Sequence, residues 1–332
     1  MVTAKAWCRV DLAGGTLDIW PLGLFHPQAR TVNVAVDLAV TVRLRSASRS
    51  YRVRQGEGVA EAASAADLTQ DPEAALIGVI GAAMELPPFE ATVASESPRG
   101  GGLGGSSAMA VAFIAAAEEV FDRRRSAPHE RAALARDLEA RLMKLPTGIQ
   151  DHYPALLGGA LEIRPLPGGE RVRRLDVDLP ALASSLLVVY SGQSHFSAGK
   201  NWQVVRRRLD GEPEIAELFE GVAESAAELA PALEAGDLPR VGALMSREWS
   251  YRRRFTEGIS TPALESLLEA ALAAGAWGGK ACGAGGGGCL AVLAPPERRS
   301  AVAAAMESAG GQVLTAKPTG LPLEISGSGP AG

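Results

Sequence analysis

Apolar and polar positions alternate over residues 6–12, 31–37, 40–45 and 89–95, which predicts four strands. Elsewhere the period is helical. Asp71-Pro72 supplies the start signal for a helix through about Met84. Residues 106–121 are apolar on nearly every face, the pattern of a buried helix. Residues 128–144 are amphipathic and stop before Pro146. Strands return at 159–164, 171–177 and 186–190. From 198 to 272 the chain reads as mostly helical, with breaks at Gly211-Glu212-Pro213, Gly236-Asp237 and Ser260-Thr261-Pro262. A strand at 290–293, a helix at 296–309, a strand at 312–316 and a frayed tail at 326–332 complete the reading. The mixture predicts an α+β protein in two parts, 1–180 and 181–332. A length of 332 residues agrees, because a single core rarely grows past ~250–300 residues.

Composition narrows the function classes. With 33 basic and 38 acidic residues the net charge is −5, which argues against a nucleic-acid partner. The longest uncharged apolar run, 108–117, falls short of the ~20 residues of a membrane span. Asp11 interrupts the N-terminus before a signal-peptide core could form. Cys8, Cys282 and Cys289 cannot all pair and show no Cys-x-x-Cys spacing, so neither a disulfide framework nor a zinc site is expected. A soluble protein of the reducing cytoplasm is predicted, with no membrane or nucleic-acid partner. His26, His129, His152 and His195 are scattered without metal-ligand spacing and read as ordinary solvated or hydrogen-bonded side chains.

Glycine changes the picture. The chain has 38, well above the usual ~7%, and they concentrate in 100–105 and 278–288 rather than in a linker. Dense glycine means backbone at positive φ or in close approach to something. The first cluster, Ser97-Pro98-Arg99-Gly100-Gly101-Gly102-Leu103-Gly104-Gly105-Ser106-Ser107, lies between a strand and the buried helix. The unpaired amides of a helix start, with glycines to bring the backbone close, make an anion cradle. Ser106 and Ser107 are placed to cap that helix or to reach a metal ion on bound phosphates. No Gly-Lys-Ser/Thr follows, so the loop is not a Walker A motif. Gly100, Gly102 and Gly105 form a Gly-x-Gly-x-x-Gly, but mid-chain and after a proline loop, without the βαβ context of a dinucleotide site.

Three segments together carry a family resemblance. Arg9-Val10-Asp11-Leu12-Ala13-Gly14-Gly15-Thr16-Leu17-Asp18 resembles the N-terminal motif of the GHMP kinases. Residues 98–108 resemble their Pro-x-x-x-Gly-Leu-Gly-Ser-Ser-Ala phosphate loop, with Gly105 as an extra glycine. Lys280-Ala281-Cys282-Gly283-Ala284-Gly285-Gly286-Gly287-Gly288-Cys289 is similar to their third glycine loop. The resemblance implies an N-terminal domain like domain 2 of ribosomal protein S5, a C-terminal ferredoxin-like domain and an active site between them. ATP, held by Pro98, Gly100, Gly101, Gly102, Leu103, Gly104, Gly105, Ser106 and Ser107, and Mg²⁺ are the implied cofactors. The third loop is expected to support the first from the C-terminal side.

The same resemblance implies the chemistry. Thr147-Gly148-Ile149-Gln150-Asp151-His152 is similar to the segment carrying the catalytic carboxylate, which makes Asp151 the candidate general base. Glu139 stands at the offset of a magnesium ligand, with Ser107 (or Ser106, given the extra glycine) as the hydroxyl ligand. An ion-pair face with Arg136, Asp137 and Arg141 is the competing reading of Glu139. Arg9 occupies the position of a cation beside the base, and arginine rather than lysine there resembles the sugar-kinase members. Asp18 matches an aspartate that binds sugar hydroxyls, and Thr16, His195, Gly285 and Gly286 complete the implied substrate side. Gly14-Gly15-Thr16 replaces galactokinase's Gly-Glu-His-Thr, which removes two galactose-holding side chains. The pattern resembles bacterial heptose 7-phosphate kinases and the kinase part of fucose-salvage enzymes. His195 and Trp202 are placed to meet a sugar face. Arg206–Arg208 and Arg252–Arg254 read as solvated faces, or as the seat of a substrate phosphate. The expected activity is phosphorylation of a hydroxyl on a sugar or sugar phosphate. The alternatives are a mevalonate- or amino-alcohol-type acceptor, or a sensor that binds ATP and sugar without turnover.

Overall fold

The computed structural model describes residues 1–194 and 198–327. Its first sheet is built on two long antiparallel strands, β1 (Val2–Ala13) and β2 (Thr31–Ser46). A hairpin of β3 (Tyr51–Gln55) and β4 (Gly58–Ala62) follows, then α1 (Ala75–Ala83) and β5 (Phe89–Ser95). Next come α2 (Gly105–Val120), α3 (Pro128–Met143), α4 (His152–Leu157), β6 (Ala160–Leu166) and β7 (Gly169–Arg174). The two strands expected at 31–37 and 40–45 are one. Trp7 pairs with Ala39 and Cys8 with Val36, so Asp37 and Leu38 bulge out of a continuous β2. The bulge is held from outside the sheet: Asp37 exchanges hydrogen bonds with the backbone of Lys317.

The second part begins with α5 (Leu179–Ser185) and β8 (Leu186–Tyr190). Four helices follow: α6 (Ala198–Leu209), α7 (Pro213–Glu234), α8 (Leu238–Arg252) and α9 (Pro262–Ala273). Then come β9 (Gly278–Ala281), β10 (Cys289–Leu293), α10 (Arg299–Ser308) and β11 (Gln312–Leu314). Among the described residues these strands form a four-stranded antiparallel sheet in the order β11-β8-β10-β9. Counted within the sheet the order is four-one-three-two, the split βαβ arrangement expected of a ferredoxin-like unit. The α+β expectation holds.

The two parts are not separated along the chain as cleanly as 1–180 and 181–332. After β11 the chain returns to the first sheet: Thr319 donates its N–H to Ala35, and β12 (Glu324–Ser326) pairs with Thr3–Lys5 of β1. Ser326 is thus a strand residue rather than a frayed one. In the other direction Leu17, Ile19 and Leu22, just after β1, are buried in the apolar core of the second part with Phe219 and Phe255. The stretch carrying Thr16 and Asp18 therefore crosses between the two cores. Helix α2 is buried over almost its whole length against β1 and β2, as its all-round apolarity requires, and this fixes the direction of its N-terminus.

Candidate active site

Strand β1 delivers Arg9 to the centre of the molecule, where it is almost fully buried. Its Nε and Nη2 both donate to Oδ1 of Asp151, at 2.9 and 2.6 Å, and Nη1 donates to the Gly102 carbonyl at 2.5 Å. The Arg9 N–H also donates to the Leu103 carbonyl. One residue thereby ties the glycine loop to the carboxylate. Burial works against the Arg9 charge, but Asp151 and then Asp11 more than offset it and hold the guanidinium above its ordinary range. Both side-chain bonds fall on the same oxygen of Asp151, whose side chain is 28% exposed, so the other oxygen carries no Arg9 bond. Gly104 precedes α2 at φ 75°, and a Cβ there would press on the Asp151 side chain at 3.3 Å. No side chain caps α2, so neither serine spends its oxygen on the helix start and the first amides stay available to an anion.

Ser107 is buried, whereas Ser106 is exposed. The Ser107 hydroxyl donates to the Glu139 carboxylate at 2.9 and 3.1 Å. Glu139 is buried, which removes the ion-pair-face reading; Arg136 pairs with Asp137 instead. Behind Glu139 stands His152, Nε2 2.8 Å from the carboxylate and fully enclosed. Burial opposes a charged imidazole here, but Glu139, Asp151 and the Ile149 backbone together outweigh it and raise the His152 pKa. The sequence pattern gives His152 only the role of an ordinary solvated or hydrogen-bonded side chain; its place directly after the candidate base was the available signal. Two hard oxygen donors side by side fit Mg²⁺, which keeps most of its ligands as water and phosphate. Among the described residues no group of three or more His, Cys, Asp or Glu side chains is placed to hold a metal ion.

Asp18 is buried, accepts the Gln150 N–H at 2.9 Å through Oδ2, and leaves Oδ1 without a hydrogen-bond partner among the described residues. Burial, only partly relieved by that N–H and reinforced by the Asp151 charge, lifts its pKa to about 6. Two chambers meet at Asp151. One, about 850 Å³, runs along the glycine loop between the β3–β4 turn and the third loop. The other, about 280 Å³, is lined by Arg9, Thr16, Asp18, Glu139 and Asn201. Ser106, Ser107, Gly102 and Gly104 line both.

The third loop lies against the central one, its Cys289 N–H donating to Gly101 at 2.8 Å. Gly285 faces the larger chamber and Gly286 donates to Ile259, so neither lines the smaller chamber where a substrate role was expected. Gly283 and Ala284 stand there instead, because the loop turns back to Ile259 beyond them. Asn201, not Trp202, reaches the chamber from α6, and His195 lies outside the described residues. The arginine runs are spoken for. Arg206, Arg207, Arg253 and Arg254 pair with Asp210, Glu212, Glu265 and Glu214, and Arg208 donates to His26. Arg252 is neither solvated nor free for a phosphate: it is buried against Glu248. The three cysteines are buried free thiols.

Comparison with known proteins decides the family. The model for the GHMP kinases N-terminal domain matches residues 71–159, and that for the GHMP kinases C-terminal domain matches residues 229–312. The chain belongs to the GHMP kinase family. As a GHMP kinase it is 26% identical over 195 residues to the D-glycero-alpha-D-manno-heptose 7-phosphate kinase of Campylobacter jejuni, covering 58% of this chain and 57% of that one. It is 28% identical over 262 residues to the mevalonate kinase of Methanothermobacter thermautotrophicus, covering 76% and 80%. The fold superposes on the crystal structure of a D-glycero-D-manno-heptose 1-phosphate kinase from Bacteroides thetaiotaomicron with a TM-score of 0.78 at 22% identity, over 98% and 99% of the two chains. The matched stretch thus spans little more than half of the Campylobacter relative. No helix among the described residues is long and apolar enough to cross a membrane.

Proposed function

We propose that the protein is an ATP- and Mg²⁺-dependent phosphotransferase acting on a hydroxyl of a sugar or sugar phosphate in the cytoplasm. The observation that carries the reading is the placement of Asp151 at the junction of two chambers, fixed on one oxygen by Arg9 and packed against the uncapped start of α2. ATP fits the larger chamber, with its phosphates at the glycine loop and helix amides. Asp151 takes the proton of the acceptor hydroxyl as that oxygen bonds the γ-phosphorus and the bond to the leaving ADP breaks. Arg9 holds the carboxylate in place through its two hydrogen bonds while negative charge gathers beside it. Ser107 and Glu139 would hold Mg²⁺, which neutralises phosphate charge when bound. Asp18, with an unpartnered oxygen in the smaller chamber, receives a second acceptor hydroxyl.

A mevalonate-type acceptor is the second reading, favoured by the longer match to the Methanothermobacter relative. The test is ADP release from Mg-ATP with monosaccharides, heptose and hexose phosphates, mevalonate and homoserine. Turnover with one sugar-type acceptor is expected. Turnover with mevalonate or homoserine alone would replace the substrate assignment. ATP binding without turnover on any acceptor would favour the sensor.

A further inference from the structure

Thr16 has φ 76°, a conformation that a β-branched residue adopts only where its surroundings over-determine it. The surroundings that do so come from the other end of the chain. Arg252, the last residue of α8, donates through Nη2 to the Gly15 carbonyl at 2.6 Å and through Nη1 to the Thr16 hydroxyl at 3.1 Å. Its remaining reach is spent on Glu248, one turn earlier, whose Oε1 accepts from Nε at 2.8 Å and Nη2 at 2.5 Å and also faces the Gly14 N–H at 3.3 Å. Lys280 stands 3.7 Å from the same Glu248 oxygen and 2.7 Å from Asp11. Asp11, Lys280, Glu248 and Arg252 form a row of alternating charge that sums to zero and is sealed from solvent.

We infer that Arg252, itself oriented by Glu248, is a positioning residue that holds the strained Gly14–Thr16 turn and so places Asp18 in the smaller chamber. Two residues beyond Thr16 the chain has little freedom left. The Leu17 N–H donates to Gly14 and the Ile19 N–H to Thr16, while Leu17 and Ile19 are sunk in the second core. Asp18 projects from between these anchors, and its carboxylate lies in contact range of Gly148. Arg252 touches no reacting atom. It acts through the turn, and only a planar fork can serve Glu248, Gly15 and Thr16 together; a lysine keeps the charge and loses the geometry. The consequence for the acceptor rests on the kinase reading above, whereas the hold on the turn does not.

The test is hydrogen exchange by mass spectrometry on the full chain, for wild type, Arg252→Lys, Thr16→Val and Thr16→Ser. Loss of charge-assisted bonds should speed exchange over 14–19 roughly 10-fold or more in Arg252→Lys. Thr16→Val should shift the same segment in the same direction, and Thr16→Ser, which keeps the hydroxyl, should not. Exchange in α2 and β10, and the affinity for Mg-ATP, should stay at wild-type values. Unchanged protection of 14–19 in both Arg252→Lys and Thr16→Val overturns the inference. Equal loss of protection in α2 and β10 also overturns it, since Arg252 would then serve the fold as a whole; if Arg252→Lys does not fold, the two Thr16 variants decide. With D-glycero-D-manno-heptose 7-phosphate and galactose as acceptor probes, Arg252→Lys should raise the acceptor KM and leave the KM for ATP. A wild type that turns over neither probe would count against the sugar-kinase reading, and the exchange pattern would still decide the positioning claim.

Discussion

Arg9 and Asp11 leave the same face of β1 two residues apart, and each meets an opposite charge from a distant part of the chain. The outcomes differ. Lys280 and Asp11 have side chains with no exposure at all, whereas the partner of Arg9, Asp151, is 28% exposed at the junction of two chambers. Burial disfavours the Asp11 charge, yet Lys280, Arg252 and Arg9 hold its pKa below the ordinary carboxylate value. Asp11 has no route to substrate and is confined to holding its neighbours. Asp151, with one oxygen pinned and one without an Arg9 bond, is open to the cleft, as the proposed base must be. Two residues along one strand separate a support from the partner of the proposed reactive group, and access to the cleft is what distinguishes the two pairs.

The sharpest break of that contrast is Asp151→Asn. Removing the base should lower turnover ~10²–10⁴-fold and leave ATP affinity within a few-fold, as measured by ADP release and an ATP titration. Full activity would take Asp151 out of the mechanism. Lys280→Met attacks the sealed pair and should act on stability instead, costing ~3–5 kcal/mol because Asp11 is left buried without its cation. Urea unfolding reads that loss, and turnover per folded molecule should remain far closer to wild type than in Asp151→Asn. Asp18→Asn probes a third carboxylate, buried like Asp11 but with no cation bonded to it among the described residues. Its raised pKa means that the folded state binds a proton more tightly than the unfolded one, so stability falls as pH rises from about 4 through about 6. The asparagine variant lacks that penalty. It should be more stable than wild type at pH 8, by up to about 3 kcal/mol, with the gap closing as pH falls through about 6; a pH-independent gap would sink the assignment. The smallest effect is expected of Arg9→Lys, which keeps the charge but loses the fork. A turnover loss of about 10-fold is anticipated, and unchanged kinetics would make the fork irrelevant.

How far the sequence speaks depends on how local the cause is. Strand β5 and helix α2 follow from short-range pattern, and β5 matches residue for residue. The glycine loop and Asp151 stand out in the sequence as a fixed run of small residues and a carboxylate, and the structure brings them together. Strand β9 is not, since Gly278-Gly279 reads as loop. The glycines are there for closeness: a Cβ on Gly278 would fall 2.0 Å from the Gly242 carbonyl of α8. The β3–β4 hairpin is short, mostly surface-facing and weakly patterned, so it too escapes a periodicity reading. Arg252 sits in a row of three arginines on a helix end, where the i,i+4 spacing from Glu248 is the local sign that sets it apart from Arg253. Its burial is decided by Gly15 and Thr16, more than 230 positions away.

Strand β12 has one more effect. It lies on the outer edge of β1, the strand that carries Arg9, with Ile325 opposite Ala4. During synthesis β1 leaves the ribosome some 320 residues ahead of this partner, so at roughly 5–20 residues per second tens of seconds pass before the two can meet. Through that interval the nascent chain presents an unpaired, largely apolar edge, the kind of template on which neighbouring chains add strands. Chaperone demand and yield at high expression should therefore depend on how late β12 follows β1, and not on the two cores alone.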